Sequence, residues 1–185
     1  MKITVIDFET ANNFPESACS IGLVVFEEGV ILHEAVYLIK PDPKHAFFEP
    51  FNISIHGISP EDVENEKTFQ ELWPELYPWF NRSLLVAHNA PFDMGILSAL
   101  IKLYGISKPL CTYIDTLEIA RRLWSFLPNH RLNTVCDYLG IALNHHEALS
   151  DAHGSALILM NGMAEVNDFD IGSLINHLKL KEKVL

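Results

Sequence analysis

Apolar and polar positions along the chain follow the period of strands first and the period of helices later. The opening run Ile3-Thr4-Val5-Ile6 is apolar on both faces, which is typical of a central strand in a buried sheet. Residues 21–26 and 30–39 predict two more strands, and Glu27-Glu28-Gly29 predicts a hairpin turn between them. These three strands should therefore form an antiparallel meander.

The second half of the chain combines short apolar runs with helical spacing. Residues 83–88 and 111–114 predict a fourth and a fifth strand, and a helix follows each of them. Further helices are predicted over residues 131–138 and over about 147–166. A meander followed by two strand–helix units predicts an α/β fold, a mixed five-stranded sheet with strands 4 and 5 parallel and helices on both faces.

The stretch between these halves, residues 41–60, contains four prolines and is predicted to be irregular. It is too apolar for a disordered linker, and we expect it to pack over the domain or to shape a substrate groove. Beyond it, Ser59 and Thr68 are typical helix caps, so one helix is predicted after each.

Length and composition are those of one domain, residues 1–185, with a core of 1–166 and a C-terminal extension of 167–185. In the extension, a short helix is expected either to dock on a partner or to pack on the domain itself, through Leu174, Ile175, Leu178 and Leu180. Three dispersed cysteines, no apolar run of membrane-spanning length and a first strand that starts right after Met1-Lys2 predict a cytoplasmic protein without a membrane partner.

The net charge of −11 argues against binding to nucleic acid, because phosphate contacts usually leave a basic footprint. The objection weakens if several of the acids are metal ligands, since divalent ions invert the local field.

Acidic residues at the ends of predicted elements are the candidate chemistry. Asp7 and Glu9 close the first strand and point to one face, while Phe8 points to the other. Either a cation lies between the two carboxylates or the strand end runs out to solvent; this stretch alone supports both equally. Asp93 follows the fourth predicted strand and Asp115 follows the fifth. Asp115 is best explained as an acidic residue that stabilises the start of a helix.

Asp151 lies in the first turn of the last long helix, beside three histidines, His145, His146 and His153. The residues alone do not select one imidazole. If Asp7, Glu9, Asp93 and Asp151 converge, they form an all-oxygen site that suits two Mg²⁺ or Mn²⁺ ions. Two such ions with a nearby histidine compose a site for phosphodiester hydrolysis.

Three separated motifs resemble the DEDDh class of 3′–5′ exonucleases, the superfamily of the epsilon proofreading subunit of bacterial replicative polymerase. They are Val5-Ile6-Asp7-Phe8-Glu9-Thr10, Val86-Ala87-His88-Asn89-Ala90-Pro91-Phe92-Asp93 and His146-Glu147-Ala148-Leu149-Ser150-Asp151-Ala152. The resemblance covers residues 1 to about 165 and implies a ribonuclease H-like exonuclease fold. Many members carry Thr where this chain has Phe8, which places it nearer the stand-alone bacterial branch.

The resemblance implies a role for each matched residue. Asp7, Glu9, Asp93 and Asp151 would bind two Mg²⁺ or Mn²⁺ ions, and His146 would be the general base, because the family places it five residues before the last ligand. The terminal nucleotide would contact the backbone around Phe8 and Thr10, and the pocket would be shaped by His88, Asn89 and Phe92. Phosphate contacts are expected from Arg121, Arg122 and Arg131.

The function implied is release of nucleoside 5′-monophosphates from DNA 3′ ends, of the proofreading or repair type, with a polymerase or repair protein as partner. Two alternatives stay open: an exoribonuclease or oligoribonuclease that acts on RNA 3′ ends, and a catalytically inactive interaction module that kept the fold.

Overall fold

The structure is a computed structural model that describes residues 1–167 and 170–185. Its strands are Lys2–Thr10 (β1), Ala18–Glu27 (β2), Val30–Leu38 (β3), Leu84–Ala87 (β4), Thr112–Asp115 (β5) and Lys183–Val184 (β6). Its helices are Pro50–His56 (α1), Pro60–Val63 (α2), Phe69–Phe80 (α3), Pro91–Tyr104 (α4), Thr116–Leu123 (α5), Leu132–Leu139 (α6), Ala148–Glu165 (α7) and Ile171–Leu178 (α8), with a 3₁₀ turn at Pro15–Ser17.

The strands form one mixed sheet in the order β3-β2-β1-β4-β5-β6. β1, β2 and β3 pair antiparallel, and β4 and β5 extend the sheet parallel to β1, which confirms the predicted arrangement. The predicted count of five strands was one too low, because β6 pairs antiparallel with β5. β6 has two residues, too few to produce a detectable alternation of apolar and polar positions.

Helices cover both faces of the sheet, as predicted. On one face, Ile6 and Phe8 of β1 are buried with the apolar sides of α3 and α4. On the other face, Ile3 and Val5 are buried with α7 and α8. The central strand β1 is therefore covered by helices on both sides, and its C-terminal end opens towards a cavity.

The predicted helix starts are confirmed at both caps. Thr68 caps α3 reciprocally with Glu71, and Ser59 forms the same capping box with Asp62 at the start of α2. The stretch 41–60 was predicted to be irregular, yet it contains α1, a helix of 7 residues. Pro50 takes the first helical position, where its missing N–H costs nothing, and the helix is too short to show a period.

The C-terminal segment packs on the protein's own core. Leu174, Leu178 and Leu180 are buried in the cluster that also contains Ile3 of β1 and Leu159 of α7. Of the two arrangements expected for this segment, docking on a partner or packing on the domain, the structure has the second. Residues 168 and 169 of the extension lie outside the described residues. None of the helices formed by the described parts of the chain combines the length and apolar character that a bilayer crossing requires.

Candidate active site

The two acidic side chains of β1 point to the face that α7 covers. They share the strand parity of Val5, which is buried on that side. Phe8 is buried on the opposite face, where its ring centroid lies 6.2 Å from that of Phe69. The predicted alternation of Asp7, Phe8 and Glu9 is therefore confirmed, and the two carboxylates remain partly accessible from the cavity.

Helix α7 begins directly against the strand that pairs with β1. Gly22 of β2 lies opposite Asp7 in the antiparallel register. A Cβ at Gly22 would lie 2.2 Å from the backbone carbon and oxygen of Ala148, so no side chain fits between β2 and the start of α7. This close approach brings Asp151, in the first turn of α7, to the carboxylates of β1.

Three carboxylates meet where these elements converge. One oxygen from each of Asp7, Glu9 and Asp151 lies within 4.8 Å of the other two. Asp93, in the first turn of α4, joins them through the backbone: its Oδ1 accepts a hydrogen bond of 3.0 Å from the N–H of Phe8. Three of the four predicted acids therefore meet at the end of β1, and Asp93 is fixed beside them on the N–H of Phe8.

Burial and mutual repulsion disfavour the charged forms of these acids. The pKa of Asp7 is held well above its usual range because the group is buried and because three other carboxyl groups lie nearby. Burial, reinforced by the charges of Asp151 and Asp93, raises the pKa of Glu9 to about 8. Burial likewise raises the pKa of Asp93 to about 8 and raises the pKa of Asp151.

The donor set fits a hard divalent cation. Within residues 1–167 and 170–185, no lysine or arginine forms an ion pair with Asp7, Glu9 or Asp93. Carboxylate oxygens are the preferred protein ligands of Mg²⁺ and Mn²⁺. A cation between these groups would stabilise their ionised forms and remove the repulsion that raises their pKa values.

Two adjacent imidazoles border the carboxylates. Nδ1 of His145 lies 2.9 Å and 3.2 Å from the two carboxylate oxygens of Asp151. His146 contacts the same carboxylate through its backbone N–H, at 3.0 Å, and its ring stacks on that of His145 with centroids 3.8 Å apart. His153 lies outside the site, with Nε2 3.2 Å from Glu34. The side chain that contacts Asp151 is thus that of His145, and not the one that the family spacing selects.

His88 braces the wall of the cavity. Its Nε2 donates to the carbonyl of His130 at 2.8 Å, and its Nδ1 lies 3.0 Å from the hydroxyl of Thr116. Burial lowers the pKa of His88, which favours the neutral ring. Because both ring nitrogens are engaged within the protein, His88 positions the segment before α6.

Asn89 and Asp115 form a second internal brace. The N–H of Asn89, which has a φ of 66°, donates to Oδ1 of Asp115 at 2.9 Å. The same oxygen accepts from the N–H of Leu117 and caps α5, so the prediction of a helix-start role for Asp115 is confirmed. Phe92 remains 51% exposed at the cavity mouth.

The carbonyl of Thr10 is held by residues from the stretch that was predicted to be irregular. Nδ2 of Asn52 donates to it at 2.8 Å, and Nε2 of His56 donates to it at 3.1 Å. Asn52 was not among the predicted site residues, because the short helix α1 that presents it was not predicted. His56 likewise had no predicted role.

The carboxylates form the floor of a cavity of about 560 Å³. Arg121 and Arg131 line it, together with Asn129, which the sequence did not indicate. Arg122, the third predicted phosphate contact, points elsewhere: its guanidinium donates to the carbonyl of Leu178 and to the carboxylate of Glu118. Two of the three predicted arginines therefore face the site.

A second cavity, of about 480 Å³, adjoins the first along Glu9 and Phe92, which line both. Its wall contains the exposed rings of Phe14 and Phe51 and the side chain of Asn52, and none of its lining residues is a lysine or an arginine. Phe14 was not a predicted site residue. Phe51 belongs to the stretch 41–60, which was expected to pack over the domain or to shape a substrate groove.

Comparison with known proteins adds the family context. The family described as RNase_T, exonuclease, matches residues 4–159. A PolC-type DNA polymerase III of Thermotoga maritima is 33% identical over 186 residues, and the match covers 97% of this chain and 13% of that protein. The PolC-type enzyme of Oceanobacillus iheyensis is 35% identical over 140 residues, which cover 75% of this chain and 10% of the relative.

Solved structures share the fold. Exonuclease X in complex with 5′ overhanging duplex DNA superposes with a TM-score of 0.73 at 21% identity, covering 95% of this chain and 99% of that one. The nuclease domain of 3′hExo, a DEDDh family member bound to rAMP, has a TM-score of 0.76 at 17% identity, covering 98% and 96% of the two chains. Both confirm the predicted ribonuclease H-like exonuclease architecture.

Proposed function

This chain belongs to the exonuclease family matched over residues 4–159, and on that premise we propose that it is a metal-dependent 3′–5′ exonuclease that releases nucleoside 5′-monophosphates from DNA 3′ ends. The observation that carries the proposal is the meeting of Asp7, Glu9 and Asp151, with oxygens within 4.8 Å of one another, on the floor of a cavity lined by imidazoles and arginines.

The four acids are the proposed metal ligands. Asp7, Glu9, Asp93 and Asp151 would hold two Mg²⁺ or Mn²⁺ ions, which supply charge stabilisation for both the attacking and the leaving oxygen. The chain's own contribution is rigidity. β1 fixes two ligands, α7 supplies a third through its close contact with Gly22, and Asp93 is anchored by the N–H of Phe8.

The proposed general base is His146. Its position five residues before Asp151 supports this role, as does its place in the cavity wall. In the reaction, a water oxygen forms a bond to phosphorus while the bond from phosphorus to the 3′ oxygen of the preceding nucleotide breaks. His146 accepts a proton from the attacking water, and the released 3′ oxygen takes up a proton from solvent water.

The two cavities suit different parts of a strand. Arg121 and Arg131 in the first cavity match phosphates, whereas Phe14, Phe51 and Phe92 in and beside the second match unpaired bases. A single-stranded or frayed 3′ end that stacks on these rings would bind despite the net charge of −11. Thr10 and Asn89 would contribute to substrate binding through their backbone and not through their side chains.

DNA is the preferred substrate in this proposal, because the relatives at 33% and 35% identity are DNA polymerases. Those relatives also support a polymerase as the partner. RNA is the second candidate, since the nuclease domain of 3′hExo, which shares the fold, is bound to rAMP. A ribose 2′-OH distinguishes the two substrates chemically.

The test compares DNA and RNA oligonucleotides of one sequence, each labelled at the 5′ end, in the presence of Mn²⁺. We expect stepwise shortening from the 3′ end and nucleoside 5′-monophosphates as products, with faster turnover of DNA. Asp7→Ala should abolish the activity and leave the domain folded by circular dichroism. If neither polymer is shortened, or if Asp7→Ala is as active as the parent, the proposed function is wrong.

A further inference from the structure

A second set of metal-binding groups overlaps one edge of the carboxylate cluster. One ligand atom from each of His145, His146 and Asp151 lies within 4.8 Å of the other two. This set differs in chemistry from the three-carboxylate set, because it offers two imidazole nitrogens and one oxygen. The chain therefore carries two possible donor sets, which share the carboxylate of Asp151.

The members of this set already contact one another. Nδ1 of His145 lies 2.9 Å from Oδ2 of Asp151, and the N–H of His146 fixes the same oxygen at 3.0 Å. The two rings stack with centroids 3.8 Å apart and an interplanar angle of 22°, so both are held at one side of the carboxylate. The side chain of His145 is 35% exposed, which leaves a route for an ion from solvent.

Other histidines nearby are not available for the same purpose. His56 uses both ring nitrogens, one towards the carbonyl of Thr10 at 3.1 Å and one towards the N–H of Ile58 at 3.0 Å. His153, on the other side of α7, lies beside Glu34. Among the described residues, the group of ligand atoms that includes imidazole nitrogens is therefore that of His145, His146 and Asp151.

Imidazole nitrogens select a different ion from an all-oxygen site. Zn²⁺ binds imidazole at about 2.0–2.1 Å and accepts three protein ligands plus water, whereas Mg²⁺ prefers oxygen alone. Among first-row ions, imidazole also suits Co²⁺, Ni²⁺ and Cu²⁺.

We propose that His145, His146 and Asp151 form a transition-metal site, with Zn²⁺ as the physiological ion, whose donor set differs from that of the hard catalytic ions but shares Asp151 with it. Binding there does not depend on the proposed function. Its consequence does: an ion that occupies His146 and Asp151 removes the proposed base and one ligand of the catalytic ions, so Zn²⁺ would inhibit the exonuclease.

Binding is tested on the Asp7→Asn variant, in which the carboxylate cage is disabled. Zn²⁺ is titrated by calorimetry against a chelator of known affinity, and Co²⁺ is followed through its visible absorption. We expect one Zn²⁺ per chain. Adding His145→Asn or His146→Asn should weaken binding at least about tenfold and remove the cobalt band. His153→Asn is the matched control and should bind as the Asp7→Asn parent does.

Two results would overturn the site. One is an unchanged Zn²⁺ affinity in the His145→Asn variant, and the other is loss of Zn²⁺ binding on Asp7→Asn alone, which would place the ion in the carboxylate cage. Thermal melting with and without Zn²⁺ reports binding even if the chain shortens no oligonucleotide. A failed nuclease assay with intact histidine-dependent binding would therefore reject the proposed function and keep the metal site.

Discussion

Each carboxyl group at the end of β1 is poorly solvated in its ionised form. Glu9 and Asp93 both have a pKa raised to about 8, by burial first of all, and the pKa of Asp7 is raised as well. Without a cation, the site therefore keeps protons near neutral pH. A divalent ion must displace these protons, so metal binding to the site should strengthen as pH rises.

The stability of the metal-free protein should fall as pH rises through the range in which these acids lose their protons. A carboxyl group whose pKa is higher in the folded state stabilises that state below its unfolded pKa, and the stabilisation is lost as pH rises to the folded pKa. For Glu9 this window runs from 4.5 to about 8. Melting in a chelator should show the decline, and Mn²⁺ should reduce it.

An Asp7→Asn variant is the control for this effect, because it removes one charge from the cluster. In chelator at pH 8 it should melt higher than the parent, since one source of repulsion is gone. A parent that melts at the same temperature from pH 5 to pH 8 would contradict the raised pKa values.

The two adjacent histidines predict different losses of activity. His146→Ala should lower kcat by roughly 10² to 10⁴ and remove the acidic limb of the pH–rate profile, because it deletes the proposed base. His145→Ala should lower kcat less, because it removes a side-chain contact to Asp151 and leaves the N–H of His146 in place. Initial rates measured with Mn²⁺ from pH 6 to 9 compare the two variants. If His145→Ala lowers kcat more than His146→Ala does, the base is His145 and not His146.

Helices and strands set the distances between these residues. The decisive contact is between β2 and the start of α7, where the backbone of Ala148 lies on Gly22. α7 is also tied to the sheet through Ala152, Ala156 and Leu159. A change at this contact should therefore move Asp151 relative to β1 without touching any proposed ligand.

Gly22→Ala should destabilise the protein and reduce its activity together. The new Cβ would lie 2.2 Å from the backbone of Ala148, so the start of α7 must shift. We expect a cost of about 1–3 kcal/mol in the free energy of unfolding, as for overpacked cores, and a loss of kcat from displaced Asp151. Urea unfolding and the oligonucleotide assay measure the two effects.

Gly95→Ala is the matched control for stability. Gly95 lies in α4 with nothing within 4 Å of an added Cβ, so alanine should stabilise the helix by up to about 1 kcal/mol. If Gly22→Ala is as stable and active as the parent, the packing of α7 on β2 does not position the site.

Charge and exposed aromatic area distinguish the whole molecule from a strongly basic nuclease. With a net charge of −11 and two arginines in the first cavity, few phosphates can be neutralised. Exposed phenylalanines border the second cavity: Phe14, Phe51 and Phe92 line it, and the ring centroid of the exposed Phe47 lies 6.3 Å from that of Phe14. Binding of single strands should therefore depend more on stacking than on salt.

Phe51→Ala should raise KM for single-stranded oligonucleotides and leave kcat nearly unchanged. One base–aromatic stack is worth about 1–3 kcal/mol, and the ring of Phe51 is 70% exposed beside the second cavity. Phe126→Ala is the control, because that ring is 67% exposed but packs on Tyr138, away from both cavities. Equal KM values for the two variants would remove Phe51 from the substrate path.

Much of the fold was predictable because its signals are local. The period of apolar positions in β1 and the caps at Ser59 and Thr68 depend on a few neighbouring residues each. The helix α1 and the strand β6 were missed, since one has 7 residues and the other 2, too few for a period to emerge.

For the candidate site too, some features were predictable from local sequence and others were not. Sequence by itself singled out the four acids as candidate ligands, because each stands at the end of an element and within a spaced motif. Only the tertiary structure decided how they meet: Asp93 on the N–H of Phe8, and Asp151 brought in by the contact at Gly22. It also decided that His145 is the ring on Asp151, because a hydrogen bond depends on the path of the backbone in space, which spacing along the chain does not specify.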